Sequence, residues 1–146
     1  MIPHHGTLLL TWACNSRCLS CKIWEIYKDN PRGMRTELTL DDYARLVADP
    51  LFKNITNLGL AGGEPLMRPD LLDIMHLIPQ TVQVFLATNA ITLGRLKQVL
   101  PEFKQRGNVV VQISIDGIGE LHDHVRGVPG NYDRCLQVLN WLIDYN

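Results

Sequence analysis

The residues able to do chemistry fall into a few short clusters. The densest is Cys14-Asn15-Ser16-Arg17-Cys18-Leu19-Ser20-Cys21, three thiols in eight positions. Three thiolates on one tight loop can bind three irons of a cubane cluster. The fourth iron is then open to a chelating ligand, much as catalytic metal sites keep one position free. Arg17 and Lys22, inside or beside the loop, favour thiolates and offset a cluster's negative charge. A structural zinc ion is the alternative, and zinc wants four protein ligands. The only other cysteine, Cys135, lies at helical spacing with Leu139 and Leu142, which suits burial. The fourth ligand would then be His4 or His5.

The second cluster is Gly62-Gly63-Glu64-Pro65. Two glycines allow close approach of a ligand to the backbone. The Glu64 carboxylate and nearby carbonyls can accept hydrogen bonds from an ammonium group. The same residues also read as a plain Gly-Gly turn ahead of a helix. Thr88-Asn89 and Ser114-Ile115-Asp116-Gly117 follow, the last containing an ordinary Asp-Gly turn dipeptide. Arg126, in HDHVRG, could pair with a carboxylate, although a solvated surface position is the reading that comes first. His122 and His124 read as exposed or core-satisfied. Met67, Met75, Trp12 and Trp24 read as packing residues, Trp24 being also close enough to Cys21 to flank a metal site.

Those clusters need elements to hold them. Four β-like runs recur, Thr7–Thr11, Ile55–Leu60, Val82–Ala87 and Val109–Ile115. Helical patterns cover Leu40–Ala48, Asp70–Ile78, Leu93–Gln105 and Tyr132–Tyr145. Thr39 with Asp42 reads as a capping box ahead of the first, and Gly107 as the C-cap of the third. Strands alternating with helices argue for βα units on a parallel sheet. From the second strand the units repeat every 27 residues, at 55, 82 and 109. In such sheets, sites form outside the carboxyl ends of the strands. Each chemical cluster follows a strand, so all fall at one edge of the sheet.

Composition narrows the remaining classes. A 46% hydrophobic, 20% charged chain suits a globular domain. A net charge of −1 gives no basic surplus for nucleic acid or an anionic membrane. The longest apolar run near the start, Leu8-Leu9-Leu10, is far too short to span a bilayer. The first residues lack the basic region of a secretory signal. Cysteines clustered this way in an intracellular chain suggest a metal site before a disulfide framework, so a cytoplasmic location is expected.

Taken in order, C-x3-C-x2-C after the first strand and G-G-E-P after the second resemble the radical S-adenosylmethionine (SAM) superfamily. The likeness runs from Thr7 to about Leu139. It is nearest to the branch that matures molybdopterin, pyrroloquinoline quinone and peptides. The resemblance implies a [4Fe–4S] cluster on Cys14, Cys18 and Cys21, its open iron chelated by SAM. An electron from a low-potential donor would cleave SAM to methionine and a 5′-deoxyadenosyl radical, which abstracts hydrogen from a small molecule or peptide. It further implies that Gly62, Gly63 and Glu64 hold the ammonium of SAM. Ser114 and Asp116 would contact its ribose or carboxylate, with Asn89 nearby and Arg126 on the methionine carboxylate. The chain departs from the pattern at Ser20, where the family usually places an aromatic residue against adenine. A full βα barrel needs about 250 residues, and the family's last strands are absent here. The expected fold is therefore α/β, a parallel (βα)4 portion of a partial TIM-type barrel, truncated, with residues 1–146 as the N-terminal part of the core domain. Neither nucleic acid nor membrane is an expected partner.

Overall fold

A computed structural model describes residues 4–145. Four strands form one sheet: β1 (His5–Thr11), β2 (Asn57–Gly62), β3 (Gln83–Thr88) and β4 (Val109–Ile113). All neighbours are parallel, in the order β1-β2-β3-β4. The expected α/β fold with a parallel sheet is therefore what the chain adopts. The register aligns Leu8 with Leu60, Leu60 with Leu86 and Leu86 with Val111, an unbroken apolar row across the sheet.

That row faces the helices. α1 (Leu40–Ala48), α2 (Leu71–Leu77), α3 (Leu93–Arg106) and α5 (Asn131–Tyr145) carry the other half of the core. Tyr43, Ile74, Met75, Leu96, Val99 and Val138 pack with Leu58, Leu60, Val84 and Leu86. Truncating one of these fully buried leucines to Ala costs about 2–5 kcal/mol. The opposite face is thinner. Its row Thr7–Gly59–Phe85–Val110 ends on a half-exposed valine, and Leu9, two residues along β1, is likewise exposed.

Local signals account for most helix ends. Thr39 accepts from the Asp42 N–H while the Asp42 side chain accepts from the Thr39 N–H, the expected capping box. α3 ends at Gly107 with φ +77°, a left-handed cap. One helix had no sequence signal, α4 (Glu120–Arg126). It has only seven residues, mostly charged or His, and no apolar stripe long enough to register. Between β1 and α1 the chain makes two 3₁₀ turns, Ile23–Glu25 and Pro31–Thr36. Among the described residues no helix is long and apolar enough to cross a membrane.

Candidate metal and cofactor site

The cysteine loop leaves β1 and is gripped on both sides by backbone. On one side the Gly63 N–H donates to the Thr11 carbonyl and the Glu64 N–H to the Ala13 carbonyl, both at 2.7 Å. A Cβ on Gly63 would collide with the Ala13 carbonyl, and one on Gly62 (φ +132°) with that of Thr11. The glycines therefore permit a close approach, as read from the sequence, and the group approached is the chain's own cysteine loop. On the other side the Arg17 N–H donates to the Arg126 carbonyl (3.0 Å) and the Leu19 N–H to the Val125 carbonyl (2.8 Å). The end of α4 thus clamps the loop around Cys18.

The clusters read from the sequence converge at the C-terminal edge of the sheet. Cys14, Cys18 and Cys21 line one cavity of about 160 Å³ with Gly62, Gly63, Glu64, Asn89, Ser114 and Arg126. Ser16, Thr88 and Trp24 complete much of its wall. Asp116 is not part of that wall. Its carboxylate lies 2.7 Å from Arg126 Nε as an ion pair, with the Nε–H not directed along the contact. The Arg126 side chain is only 14% exposed, which excludes the solvated-arginine reading. Its Nη1 lies 3.9 Å from the Cys18 sulfur. Asn89 Nδ2 donates to Asn15 Oδ1 (2.8 Å) and lies 3.9 Å from the Cys14 sulfur. Ser20 is exposed and outside the cavity wall. Trp12 and Met67, read as packing residues, are both substantially exposed.

Glu64 is 1% exposed and largely occupied within the protein. Its Oε1 accepts from the Leu66 N–H (3.1 Å) and the Thr88 hydroxyl (2.9 Å), and its Oε2 from the Asn89 N–H (2.8 Å). A carboxylate offers about four acceptor positions, so roughly one remains for a ligand. Burial raises the Glu64 pKa above the usual carboxylate value, against the pull of these three donors. The side chain thus ties the ends of β2 and β3 together beneath the cysteine loop.

The donor set fits a cluster better than one ion. All three thiols are free, and they differ in environment: Cys18 is buried, Cys14 half-buried and Cys21 exposed. Burial raises the Cys14 pKa, the Ser16 N–H working against it, so metal loading there must release a proton. The Ser16 hydroxyl is buried in the same wall without a protein partner. Among the described residues no three His, Cys, Asp or Glu side chains come together tightly enough for one metal ion. All three thiols line one cavity, as a cluster with one iron for each thiol would use them. The zinc alternative also loses its fourth ligand. His4 and His5 lie at the start of β1, and six residues of strand, on the order of 20 Å, separate His5 from Thr11 at the cysteine edge. Cys135 is fully buried and outside the cavity wall.

Two supporting networks had no sequence signal. His122, fully buried on α4, accepts the Asp116 N–H at Nδ1 (3.2 Å). Its proton must then be on Nε2, 2.9 Å from the Asn131 side-chain amide. The Asn131 oxygen, otherwise buried without a partner, belongs at that contact. Behind the cysteine loop, Glu37 Oε1 accepts from the Thr11 hydroxyl (2.7 Å), the Trp12 N–H (2.8 Å) and the Tyr27 hydroxyl (3.0 Å). Burial, with this bond to Glu37, pushes the Tyr27 pKa up to about 12. Arg68 binds the Leu10 and Leu38 carbonyls, both at 2.6 Å, and pairs with Asp70 at 2.7 Å. Apart from the Arg68–Asp70 pair, two positions apart, these networks join residues 6 to 58 positions apart, at spacings that no motif marks.

A parallel βα array with a thiol-ringed cavity at its C-terminal edge defines the class: a cofactor-binding domain of partial-barrel type. The chain belongs to the radical SAM superfamily, whose profile it matches over residues 8–146. Members of this superfamily bind a [4Fe–4S] cluster and SAM. The chain is 33% identical to the AdoMet-dependent heme synthase of Methanosarcina barkeri, over 87% of its own length and 35% of that protein's. It is 28% identical to the subtilosin biosynthesis protein AlbA of Bacillus subtilis, over 99% of this chain and 31% of AlbA. A GTP 3′,8-cyclase of Clostridium perfringens is 33% identical over 94% of this chain and 42% of the cyclase. The chain therefore spans between 31% and 42% of the length of these three relatives. In fold it is similar to Streptococcus suis SuiB, solved with the precursor peptide SuiA. That match has a TM-score of 0.75 at 17% identity, covering 96% of this chain and 30% of SuiB.

Proposed function

We propose that this chain is the cluster- and SAM-binding portion of a radical SAM enzyme. The observation that carries the reading is the single cavity shared by three free thiols, the Gly62-Gly63-Glu64 turn, Asn89, Ser114 and Arg126. When bound, the cluster and SAM supply a reductively generated 5′-deoxyadenosyl radical able to abstract hydrogen from a substrate. The residues of this chain bind and orient. Cys14, Cys18 and Cys21 hold three irons. Carbonyls of the Gly62-Gly63 turn and the free acceptor position of Glu64 take the ammonium of SAM. Arg126 and Ser114 take its carboxylate, Arg126 being held in place by Asp116. Asn89 braces the loop from β3 through Asn15. Burial of Cys18 and Arg126 keeps water from this side of the site.

On this reading the substrate is a small molecule or a peptide, the classes on which the named relatives act. The reaction is that of an oxidoreductase or transferase, located in the cytoplasm. One-electron equivalents come from a low-potential donor. The net charge of −1 offers nothing to nucleic acid or membrane. Residues 1–146 act as the N-terminal portion of the core domain. In support, the outer edge of β4 has no partner strand among the described residues. The test is anaerobic reconstitution followed by iron and acid-labile sulfide analysis, with a 5′-deoxyadenosine assay. Four irons and four sulfides per chain are expected, lost on Cys14→Ala, Cys18→Ala or Cys21→Ala. A single tightly bound zinc with no sulfide would sink the reading.

A further inference from the structure

The short helix α4 does more than grip the cysteine loop with its last carbonyls. One turn before Arg126, on the same face of the helix, His122 sits fully buried. Its Nδ1 accepts the Asp116 N–H at 3.2 Å, and its Nε2 lies 2.9 Å from the Asn131 side-chain amide at the start of α5. The ring packs against Tyr132, with centroids 5.9 Å apart. The neighbouring Asp123 accepts from the Gly130 and Tyr132 N–H groups and so fixes the turn between α4 and α5. The imidazole is thus anchored on α5 while its other nitrogen reaches the exit of β4.

What it reaches there is the turn that aims Arg126. The Asp116 side chain is 40% exposed and pairs at 2.7 Å with Arg126, itself only 14% exposed. An ion pair with one partner that open to water is screened and fixes little by itself. The carboxylate stays beside Arg126 only while its own backbone stays put. Among the described residues, His122 Nδ1 is the sole acceptor for the Asp116 N–H. Arg126 in turn lines the thiol cavity, its Nη1 3.9 Å from the Cys18 sulfur. A series of contacts, Asn131 to His122 to Asp116 to Arg126, therefore runs from α5 to the cysteine loop.

We propose that His122 is a positioning residue of this site. With its proton on Nε2, it fixes the Asp116 turn through Nδ1 and so sets where the Arg126 guanidinium stands, between the Cys18 sulfur and the carboxylate of SAM. The inference rests on the proposed function, which makes Arg126 the partner of that carboxylate. His122 touches neither cluster nor SAM and acts only through Asp116 and Arg126. Removing the acceptor at Nδ1 leaves Arg126 in the chain but no longer aimed. Positive charge beside a cluster sulfur favours the reduced cluster, so an unaimed Arg126 also lowers the midpoint potential.

Two substitutions separate aim from packing. Asn places its oxygen where Nδ1 stands and keeps the bond to Asp116, but leaves a gap. Gln fills more of the space, carries its amide one bond further out toward Asn131, and gives up the bond to Asp116. In the anaerobically reconstituted protein, His122→Gln should weaken SAM binding about tenfold in isothermal titration, the worth of one lost hydrogen bond. It should also lower the cluster potential in a redox titration followed by electron paramagnetic resonance. His122→Asn should stay within about threefold of the parent at an unchanged potential, although it is the smaller side chain. A packing role predicts the reverse order. In an Arg126→Gln background, His122→Gln should weaken binding by less than about twofold more, because the residue it aims is gone. Nitrogen-15 shifts of labelled histidine in the reconstituted protein give a reading that no variant's folding can spoil: Nδ1 of His122 should be bare and Nε2 protonated. Should His122→Gln assemble no cluster, those shifts and His122→Asn decide alone. The inference is overturned if Asn binds SAM more weakly than Gln, if Asn falls about tenfold below the parent, if the two losses add in the double variant, or if Nδ1 carries the proton. An unsubstituted protein that assembles no cluster or binds no SAM would instead refute the function on which the inference rests.

Discussion

Glu64 offers the sharpest test of how the site is built. The carboxylate is 1% exposed and accepts from the Leu66 N–H, the Thr88 hydroxyl and the Asn89 N–H. Glu64→Ala strands three buried donors, each worth about 1–3 kcal/mol. Removing the carboxylate also relieves its desolvation, so the net cost should be about 3–4 kcal/mol. Glu64→Gln keeps the volume and one oxygen. With that oxygen in the Oε1 position, two bonds survive and the new NH₂ meets the Asn89 N–H, donor against donor, costing about 1–3 kcal/mol. Urea unfolding of the metal-free protein measures both, free of any cluster effect. The pH dependence gives a second check. Because the folded-state pKa is raised, the folded protein binds more protons than the unfolded chain just above the usual carboxylate value. Stability contributed by Glu64 should therefore fall as pH rises through that window, then level off. Glu64→Gln should remove the slope. If Glu64→Ala costs less than about 1 kcal/mol yet abolishes SAM binding, Glu64 is a ligand and not a brace, and the argument fails.

Other expectations follow from single contacts. Gly63→Ala puts a methyl group onto the Ala13 carbonyl and should displace the cysteine loop, seen as loss of most reconstituted iron by colorimetric assay. Cys135→Ala should leave iron content unchanged and cost about 1–3 kcal/mol in urea unfolding, as a buried packing residue; loss of iron would make Cys135 a ligand. Arg126→Gln should weaken SAM binding by roughly ten- to a hundredfold in isothermal titration, the worth of a charged hydrogen bond of ~1.5–3 kcal/mol. Hydrogen bonds from Thr39, side chain first, hold the Asp42 carboxyl below its usual value of 3.8. That stabilisation is present above pH 3.8 and is lost as pH falls through the folded-state pKa. Asp42→Asn should accordingly flatten the acid limb of a circular-dichroism titration.

Much of this was legible in the amino-acid order because it depends on neighbours along the chain. Strand alternation, the Thr39–Asp42 box and the Gly107 cap are local events, set by which side chains lie two to four positions apart. The clustering of three cysteines is local too, since a loop of eight residues can hardly separate them. Even the common edge of the site was readable, because parallel strands joined by helices all deliver their C-terminal loops to the same side. Strand limits moved by one or two residues: β2 was expected over 55–60 and is found over Asn57–Gly62. Gly62, which ends it, belongs to the ladder with β1 opposite Thr11, a pairing that no single strand discloses.

What the tertiary structure alone decided is who touches whom at a distance. Glu64 reads from the sequence as a ligand for an ammonium group; folded, it is mostly a tie between β2 and β3. Arg126 reads from the sequence first as a surface residue; α4, too short and polar to announce itself, turns it in toward Cys18 and Asp116. Glu37 and Arg68, unmarked by any motif, meet across 31 positions to hold the exit of β1. Spacing along a chain encodes the torsions and periodicities of its elements. The partners of a buried polar group are set by which elements pack together, and the need to satisfy such groups once water is gone shows itself only in the folded chain.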